Sequence, residues 1–425
     1  MSIHKITWPM LSDLFPVAFP GIHTNRDELL VDIDKSRLVQ RMEQYFDPTL
    51  DHEDVSQILP GAMTSTPTFN APAVRDQLLR RGFLAQNIVR YYYRPFDVRW
   101  LYWEPETKLL DRNRAEYFGH IFAGNQWIAL QQRPRKGWSV PPVMRAAGSY
   151  DLMERGTNYC PLYLNHVAAL LRNAPNLSAE SGDYLDQLEL EPTDLFFHAV
   201  AILHTPAYHR KVTESPLEEW PRIPLPKDRE VVKTSAQAGQ HIAALLDVET
   251  PVIGITIGVV SPEYQHIGNI AHSSAELLSM EAGEFALTAG WGHRGNDGQI
   301  VADRGSVVAR DYTPDEIVSL QSGSASAEDL SPLGSHTCDV YLNEAIYWRN
   351  VPINVWKYSI GGYPVIKKWL SWRDYNLLGR SLTEDEVNEM TNIIRRITAL
   401  ILLETYLDSL YISTIRETIS FTSQV

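Results

Sequence analysis

Cysteine is nearly absent: Cys160 and Cys338 are the only two in 425 residues, and they lie far apart. That excludes a disulfide framework and a cysteine-rich zinc site, and it fits a reducing cytoplasm. Long apolar runs are missing as well. None reaches the roughly eighteen residues that a membrane helix needs. The longest apolar pattern, Ile393 to Leu410, is interrupted by Arg395, Arg396, Glu404 and Asp408 and reads as an amphipathic or core helix. The opening MSIHKITWPMLSDLF lacks the basic and apolar regions of a signal peptide. The histidines lack ligand spacing, because His198, His204 and His209 stand six and five residues apart and share no helix face. Overall positive charge is lacking too. With 38 Lys and Arg against 52 Asp and Glu, the net charge is −14. Such a balance disfavours a free-standing, sequence-blind DNA binder, but it leaves room for a duplex contact confined to one face.

The length points to two or three domains. Turn signals and periodicity divide the chain into residues 1–85, 86–170, 171–250, 251–380 and 381–425. The first segment carries predicted helices at Lys35–Phe46 and Ala71–Arg81, the second of them capped by Asn70 and stopped by Gly82. The next is β-rich, with predicted strands at Ile88–Tyr93, Val98–Trp103 and Gln126–Gln131. A helical region follows, with helices at Tyr184–Leu188, Thr193–Leu203 and Ser235–Leu246 around an extended proline-rich link, Trp220–Asp228. Residues 251–340 return to short strands and Gly/Asp turns, with a flexible stretch expected at Gln321–Asp329. Thr383–Leu410 reads as a helix or helix pair opened by a Thr383/Glu386 capping box. The fold class expected is α+β: loop-rich, in several subdomains, with mixed short sheets and a C-terminal helical segment. Absence of βαβ alternation argues against a doubly wound nucleotide fold.

Against the acidic background, two segments are basic and aromatic. From Ala345 to Arg380 there are six Lys and Arg and one acid, Asp374, interleaved with Trp348, Trp356, Trp369 and Trp372 and broken once at Gly361-Gly362. From Gln86 to Arg145 there are ten Lys and Arg against five Asp and Glu. Such patches suit a polyanion. Each also has a structural reading. Tyr363, Val365, Ile366, Trp369 and Leu370 can build a small core. An Arg94–Asp97 or Asp97–Arg99 ion pair can pin a turn, and alternation would set Arg90, Tyr92 and Arg94 on one face.

Two motifs bear on catalysis. Gly290–Gly295 spells GxGxxG, but Asn296-Asp297-Gly298 and a strand-like Gln299–Ala302 follow it, which is hairpin chemistry and not a dinucleotide fingerprint. Trp291, His293 and Arg294 would then stand at a hairpin tip. Asp97 followed by Glu106-Thr107-Lys108 matches loosely the Asp…Glu-x-Lys pattern of Mg²⁺-dependent nucleases.

The segments FPGIHTNRDELLVDID (Phe19–Asp34), YYYRPFDVRWLYWEPETKLLDRNR (Tyr91–Arg114), HAVAILHTPAYHRK (His198–Lys211), EEWPRIPLP (Glu218–Pro226), FALTAGWGH (Phe285–His293) and the Asp339–Arg380 block occur in collinear order. Together they resemble the C-terminal specificity region of type ISP restriction-modification enzymes and of related adenine-N6 DNA methyltransferases. The resemblance implies double-stranded DNA as partner, recognised beside a methyltransferase domain that uses S-adenosylmethionine, alone or with helicase and nuclease parts, in a bacterial or archaeal cytoplasm. Residues 1–85 would then connect to the methyltransferase. The tetrapeptide Asn/Asp-Pro-Pro-Tyr/Phe of such methyltransferases is absent, as are an S-adenosylmethionine loop and a Walker A motif. The chain is therefore expected to carry no cofactor, no metal and no catalytic residue of its own. The candidate DNA contacts are Arg112, Arg114, Arg133, Arg135, Lys136, Lys367, Lys368 and Arg373. Two other classes stay open: a hydrolase (a Mg²⁺ nuclease on Asp97, Glu106 and Lys108, or a glycan hydrolase with paired carboxylates), and a structural subunit that clamps a methyltransferase.

Overall fold

A computed structural model describes residues 8–132, 137–165, 173–213, 220–274, 283–295, 299–322 and 330–419. Arg133, Arg135, Lys136 and most of the stretch expected to be flexible, residues 323–329, lie outside the described residues. The fold is α+β, with small separate sheets and a helical C-terminal end.

Three four-stranded sheets organise the chain. In the first, Asp97–Tyr102 and Ile88–Arg94 form an antiparallel hairpin, flanked by Val31–Asp32 on one side and by Ala147–Gly148, running parallel, on the other. The hairpin turn is Pro95-Phe96, and Phe96 holds φ of 60° where glycine or asparagine is usual. Phe96 is 3% exposed, and its ring joins the larger apolar cluster, to which both chain ends contribute. Core packing thus holds a backbone that a bulky residue avoids elsewhere. The second sheet is Phe19–Pro20, Thr157–Pro161, Trp127–Gln131 and Val143–Met144 in that order. In the third, Ile346–Pro352 and Thr337–Tyr341 are central, between Asn269–His272 and Val307–Arg310.

Helices form where the capping chemistry dictates. Asn70 accepts from the Ala73 amide at 3.1 Å to open Ala71–Arg81, and Gly82 ends it at φ 84°. The Thr383/Glu386 capping box opens Glu384–Leu402, which hands over to Glu404–Thr414. Helices Pro192–Leu203 and Arg229–Leu246 pack together, and a β-carbon at Gly239 would stand 1.8 Å from the Phe197 carbonyl oxygen. Only glycine permits that approach. Buried Arg396 donates to the carbonyls of Ala244 and Asp247, satisfying the last turn of Arg229–Leu246. Between the two helices the Trp220–Asp228 link runs extended. The Ile223 amide donates to Pro9 O and the His198 ring meets Pro224 O at 2.8 Å.

Two apolar clusters result. One is built on residues between Ile22 and Tyr159; the other gathers both chain ends, the helices and the third sheet. Trp372 of helix Val365–Arg373 leans from the second half onto the first cluster.

Candidate nucleic-acid interface

Where the two clusters meet, charge is buried. Asp97, 2% exposed, accepts from Arg99 Nη2 at 2.6 Å and Nε at 3.1 Å. Its second oxygen accepts from both terminal nitrogens of Arg373, each at 3.2 Å. These two guanidiniums hold the Asp97 carboxyl down at about 2 although burial alone would raise it. The Asp97–Arg99 pair is therefore the structural one anticipated for this turn, and Arg373 adds a cross-link between strand Asp97–Tyr102 and helix Val365–Arg373. Arg99 stacks on the rings of Tyr93 at 3.9 Å and Trp372 at 4.4 Å, and Arg373 on Trp369 at 3.9 Å. The basic-aromatic composition of the two segments is, in part, this internal seam.

Above the seam opens a cleft of about 1180 Å³. The loop from Ile22 to Asp27 forms one wall. Hairpin residues Arg294, Gln299 and Ile300 stand opposite, and Tyr93, Arg94, Arg99, Lys368 and Trp372 form the base. The hairpin is Gly292–Arg294 paired antiparallel with Ile300–Ala302. Gly292 seats it on helix Val365–Arg373, for a β-carbon there would lie 2.3 Å from Ser371 O. The GxGxxG stretch thus opens a strand pair and no helix, which removes the cofactor reading. Trp291 is buried, with its indole N–H donated to Tyr341 O at 2.8 Å, whereas Arg294 reaches over the cleft to pair with Glu28. The lining holds six cations (Arg37, Arg41, Arg94, Arg99, Arg294, Lys368) and four acids (Asp27, Glu28, Asp32, Asp151), a local excess of positive charge on a chain of −14. Arg41 neutralises Asp32 at 2.8 Å, and Asp27 accepts from the Tyr93 hydroxyl at 2.8 Å.

The sequence candidates separate in space. Lys368 is on the cleft floor, its ammonium donating to Ile300 O at 3.4 Å and lying 5.6 Å over the Trp372 ring. Lys367 is half-buried, near enough to Asp303 to help lower that carboxyl after its bonds to the Arg304 amide and His293. Arg112 is exposed, with 61% of its side chain open and, among the described residues, an ion pair to Asp111 at 3.9 Å. Its backbone is bonded both ways to His23, so it stands beside the cleft-wall loop. Arg114 folds inward, donating to Gly21 O at 3.3 Å with 16% of its side chain exposed. Arg373 goes against the expectation: at 2% exposure, bonded to Asp97 and stacked on Trp369, its guanidinium is committed inside the protein and lies outside the large cleft. The register also breaks between Tyr92 and Arg94. Arg90 and Tyr92 turn to Glu249 and Asp247, while Arg94 lines the cleft, so the three do not share a face. In the sequence Arg94 reads as part of a basic strand face or of a turn ion pair and not as a named DNA contact, and Arg37 and Arg41 carry no signal at all.

The nuclease pattern is not assembled. Asp97 is consumed by two arginines, and Glu106 pairs with Arg81 at 3.2 Å. Among the described residues no group of three or more His, Cys, Asp or Glu side chains could hold a metal ion, and no helix is long and apolar enough to cross a membrane. His198 and His204 are buried, each hydrogen-bonded to a proline carbonyl, and burial lowers them to about 4 and about 3.

Comparison with known proteins gives a family. A family model described as the type ISP C-terminal specificity domain matches residues 13–402. No curated protein matches the chain. Among solved structures, the cryo-EM DrdV–DNA complex is similar at a TM-score of 0.60 and 17% identity, over 96% of this chain and 36% of that one. A nuclease-deletion mutant of the type ISP restriction-modification enzyme LlaGI, in complex with a DNA substrate mimic, aligns at 0.56 and 14%, over 94% and 33%. The ATP-dependent type ISP enzyme LlaBIII bound to DNA aligns at 0.56 and 16%, over 93% and 23%. The chain spans about a third or less of the length of these enzymes, and at such identities the likeness is one of fold. Matched along nearly its whole length, the chain belongs to the type ISP C-terminal specificity domain family.

Proposed function

We propose that this chain is the DNA target-recognition part of a type ISP restriction-modification enzyme or adenine-N6 methyltransferase. The observation that carries the reading is the cleft: an open concavity with surplus positive charge on an otherwise acidic chain, walled by a loop and a hairpin. Its cations meet phosphates and set the register of the duplex, while polar side chains on the two walls meet base edges. Arg112 and Lys367 extend the grip outside it. A companion domain supplies S-adenosylmethionine and the methyl transfer to a flipped adenine, and this chain positions that adenine. DNA-bound structures of DrdV, LlaGI and LlaBIII, which share the fold, support duplex DNA as the partner. The five-part division drawn from the sequence stays part of this proposal, with limited proteolysis expected to cut first near residues 85, 170, 250 and 380.

Fluorescence anisotropy with a pool of randomised duplexes tests the function. Selective enrichment of one sequence, with affinity falling steeply as salt rises, is expected. Failure to bind any duplex, with and without a methyltransferase partner, overturns the proposal.

A further inference from the structure

On the floor of the cleft two cations, Arg94 and Lys368, share one neighbourhood without an ion-pair partner among the described residues. Arg94 donates from Nη1 to Tyr93 O at 2.7 Å, with Ser149 Oγ at 3.5 Å, and its Nε is enclosed without a hydrogen-bond partner. Among the described residues no carboxylate comes within ion-pair distance of Arg94 or of Lys368; Asp27 and Asp151 act on Arg94 only from farther away. Burial lowers the Lys368 ammonium first, and the charges of Arg94 and Arg99 lower it further, which places the three cations in one neighbourhood. Arg99 differs from the other two, because Asp97 neutralises it. Burial works against the Arg94 charge, yet Tyr93, Tyr363 and the more distant Asp27 and Asp151 together hold its guanidinium above the usual value, so a bound anion would relieve Lys368 first and give Arg94 a direct partner.

The surroundings select the anion. The Arg94 guanidinium lies 4.3 Å from the Tyr93 ring centre and 5.3 Å from that of Tyr363, and Trp372 flanks Lys368. A planar fork and a point charge between aromatic walls suit one tetrahedral oxyanion carrying a sugar or base beside it. We propose that Arg94 and Lys368 form a phosphodiester-binding site at the base of the cleft, a step that rests on the DNA reading above. A free phosphate would use the same chemistry, so the test must separate the two sources.

The test measures duplex affinity across a salt series for the full chain and its Lys368→Gln, Lys368→Arg and Arg94→Lys variants, with far-UV circular dichroism as the folding control. Loss of one phosphate contact lowers the slope of log affinity against log salt by about 0.9 and weakens every duplex sequence by the same factor. Lys368→Gln is expected to do this and Lys368→Arg to restore the slope. Arg94→Lys keeps the charge and loses the fork, so it weakens all duplexes with the slope nearly kept. Inorganic phosphate in place of chloride at equal ionic strength should compete with duplex for the wild type and not for Lys368→Gln. An unchanged slope in Lys368→Gln, while the wild type still binds DNA, overturns this site and leaves the recognition reading standing. Phosphate binding that depends on Lys368, with duplex affinity indifferent to it, overturns the phosphodiester assignment in favour of a small-anion pocket. A wild type that binds no duplex overturns the recognition reading itself.

Discussion

Replacing Asp97 by alanine would leave two buried guanidiniums facing each other with nothing between them. The carboxylate is 2% exposed and Arg373 likewise 2%, so water cannot take its place without opening the seam. Breaking a buried ion pair by removing one partner costs about 3–5 kcal/mol. Arg99 keeps the Tyr93 and Trp372 rings at 3.9 and 4.4 Å, and such contacts return about 0.5–2 kcal/mol to a desolvated cation. Asp97→Ala should therefore cost nearer about 3 than 5 kcal/mol. With an unfolding entropy of about 2.1 cal/mol/K per residue, 425 residues unfolding together would lose about 3–4 °C in Tm, and more if the cooperative unit is smaller. Adding Arg373→Met to Asp97→Ala removes one stranded charge beside Trp369, so the double variant should be more stable than Asp97→Ala alone. Urea titration followed by tryptophan fluorescence reads all three. The pH dependence follows as well: with Asp97 held at about 2, its stabilising contribution is full above the unfolded value of 3.8 and is lost as pH falls towards 2. Stability within about 0.5 kcal/mol of wild type for Asp97→Ala would refute the seam. If metal-dependent DNA cleavage vanished at the same time, Asp97 would return as a metal ligand.

Other perturbations probe separate parts of the molecule. Burial and the charge of Asp408 push Glu404 up to about 7 from 4.5, so the folded chain keeps a proton there that the unfolded chain releases. Stability should fall as pH rises from about 4.5 to 7, by about 3 kcal/mol, and Glu404→Gln should flatten that slope in thermal melts between pH 5 and 8. Gly361→Ala forces a β-carbon to 2.3 Å from Met153 Cα at φ 57°, and a loss of more than about 2 kcal/mol is expected in denaturant titrations. Asn25, exposed at φ 55° in the cleft wall, tolerates glycine without backbone strain, so Asn25→Gly should leave Tm within about 1 °C while it alters which duplexes are enriched from a random pool. Unaltered enrichment would exclude Asn25 as a base reader.

Local signals are legible in the sequence where the chemistry is local. Asn70 and Gly82 bound their helix, and Thr383 with Glu386 opens the long C-terminal one, because a cap is decided within four residues. The β-character of Ile88–Arg94 and Asp97–Tyr102 followed from composition. Their turn did not, since Phe96 takes a left-handed backbone only because a distant core buries its ring. The candidate site divided in the same way. Arg373 looked like Lys368 in sequence, five residues away and equally cationic. On a helix those positions face in different directions, one into Asp97 and one onto the cleft floor, and the partner that decides between them lies 276 residues away.

The same reasoning explains why an acidic protein carries basic-aromatic segments at all. Cations in such a segment have two employments, and burial sorts them. Arg99 and Arg373 are spent inside on the Asp97 carboxylate, with their guanidiniums against the Tyr93, Trp372 and Trp369 rings. Among the described residues, Arg94 and Lys368 at the cleft have no carboxylate in ion-pair contact, and Asp27, Asp151 and Asp97 act on them only from farther away. Burial first, then the charges of Arg94 and Arg99, lower the Lys368 ammonium, and a carboxylate in contact with it would offset both. Two cations without an ion-pair partner in an open cleft are a feature that folding does not require, and the proposed phosphodiester site would account for them.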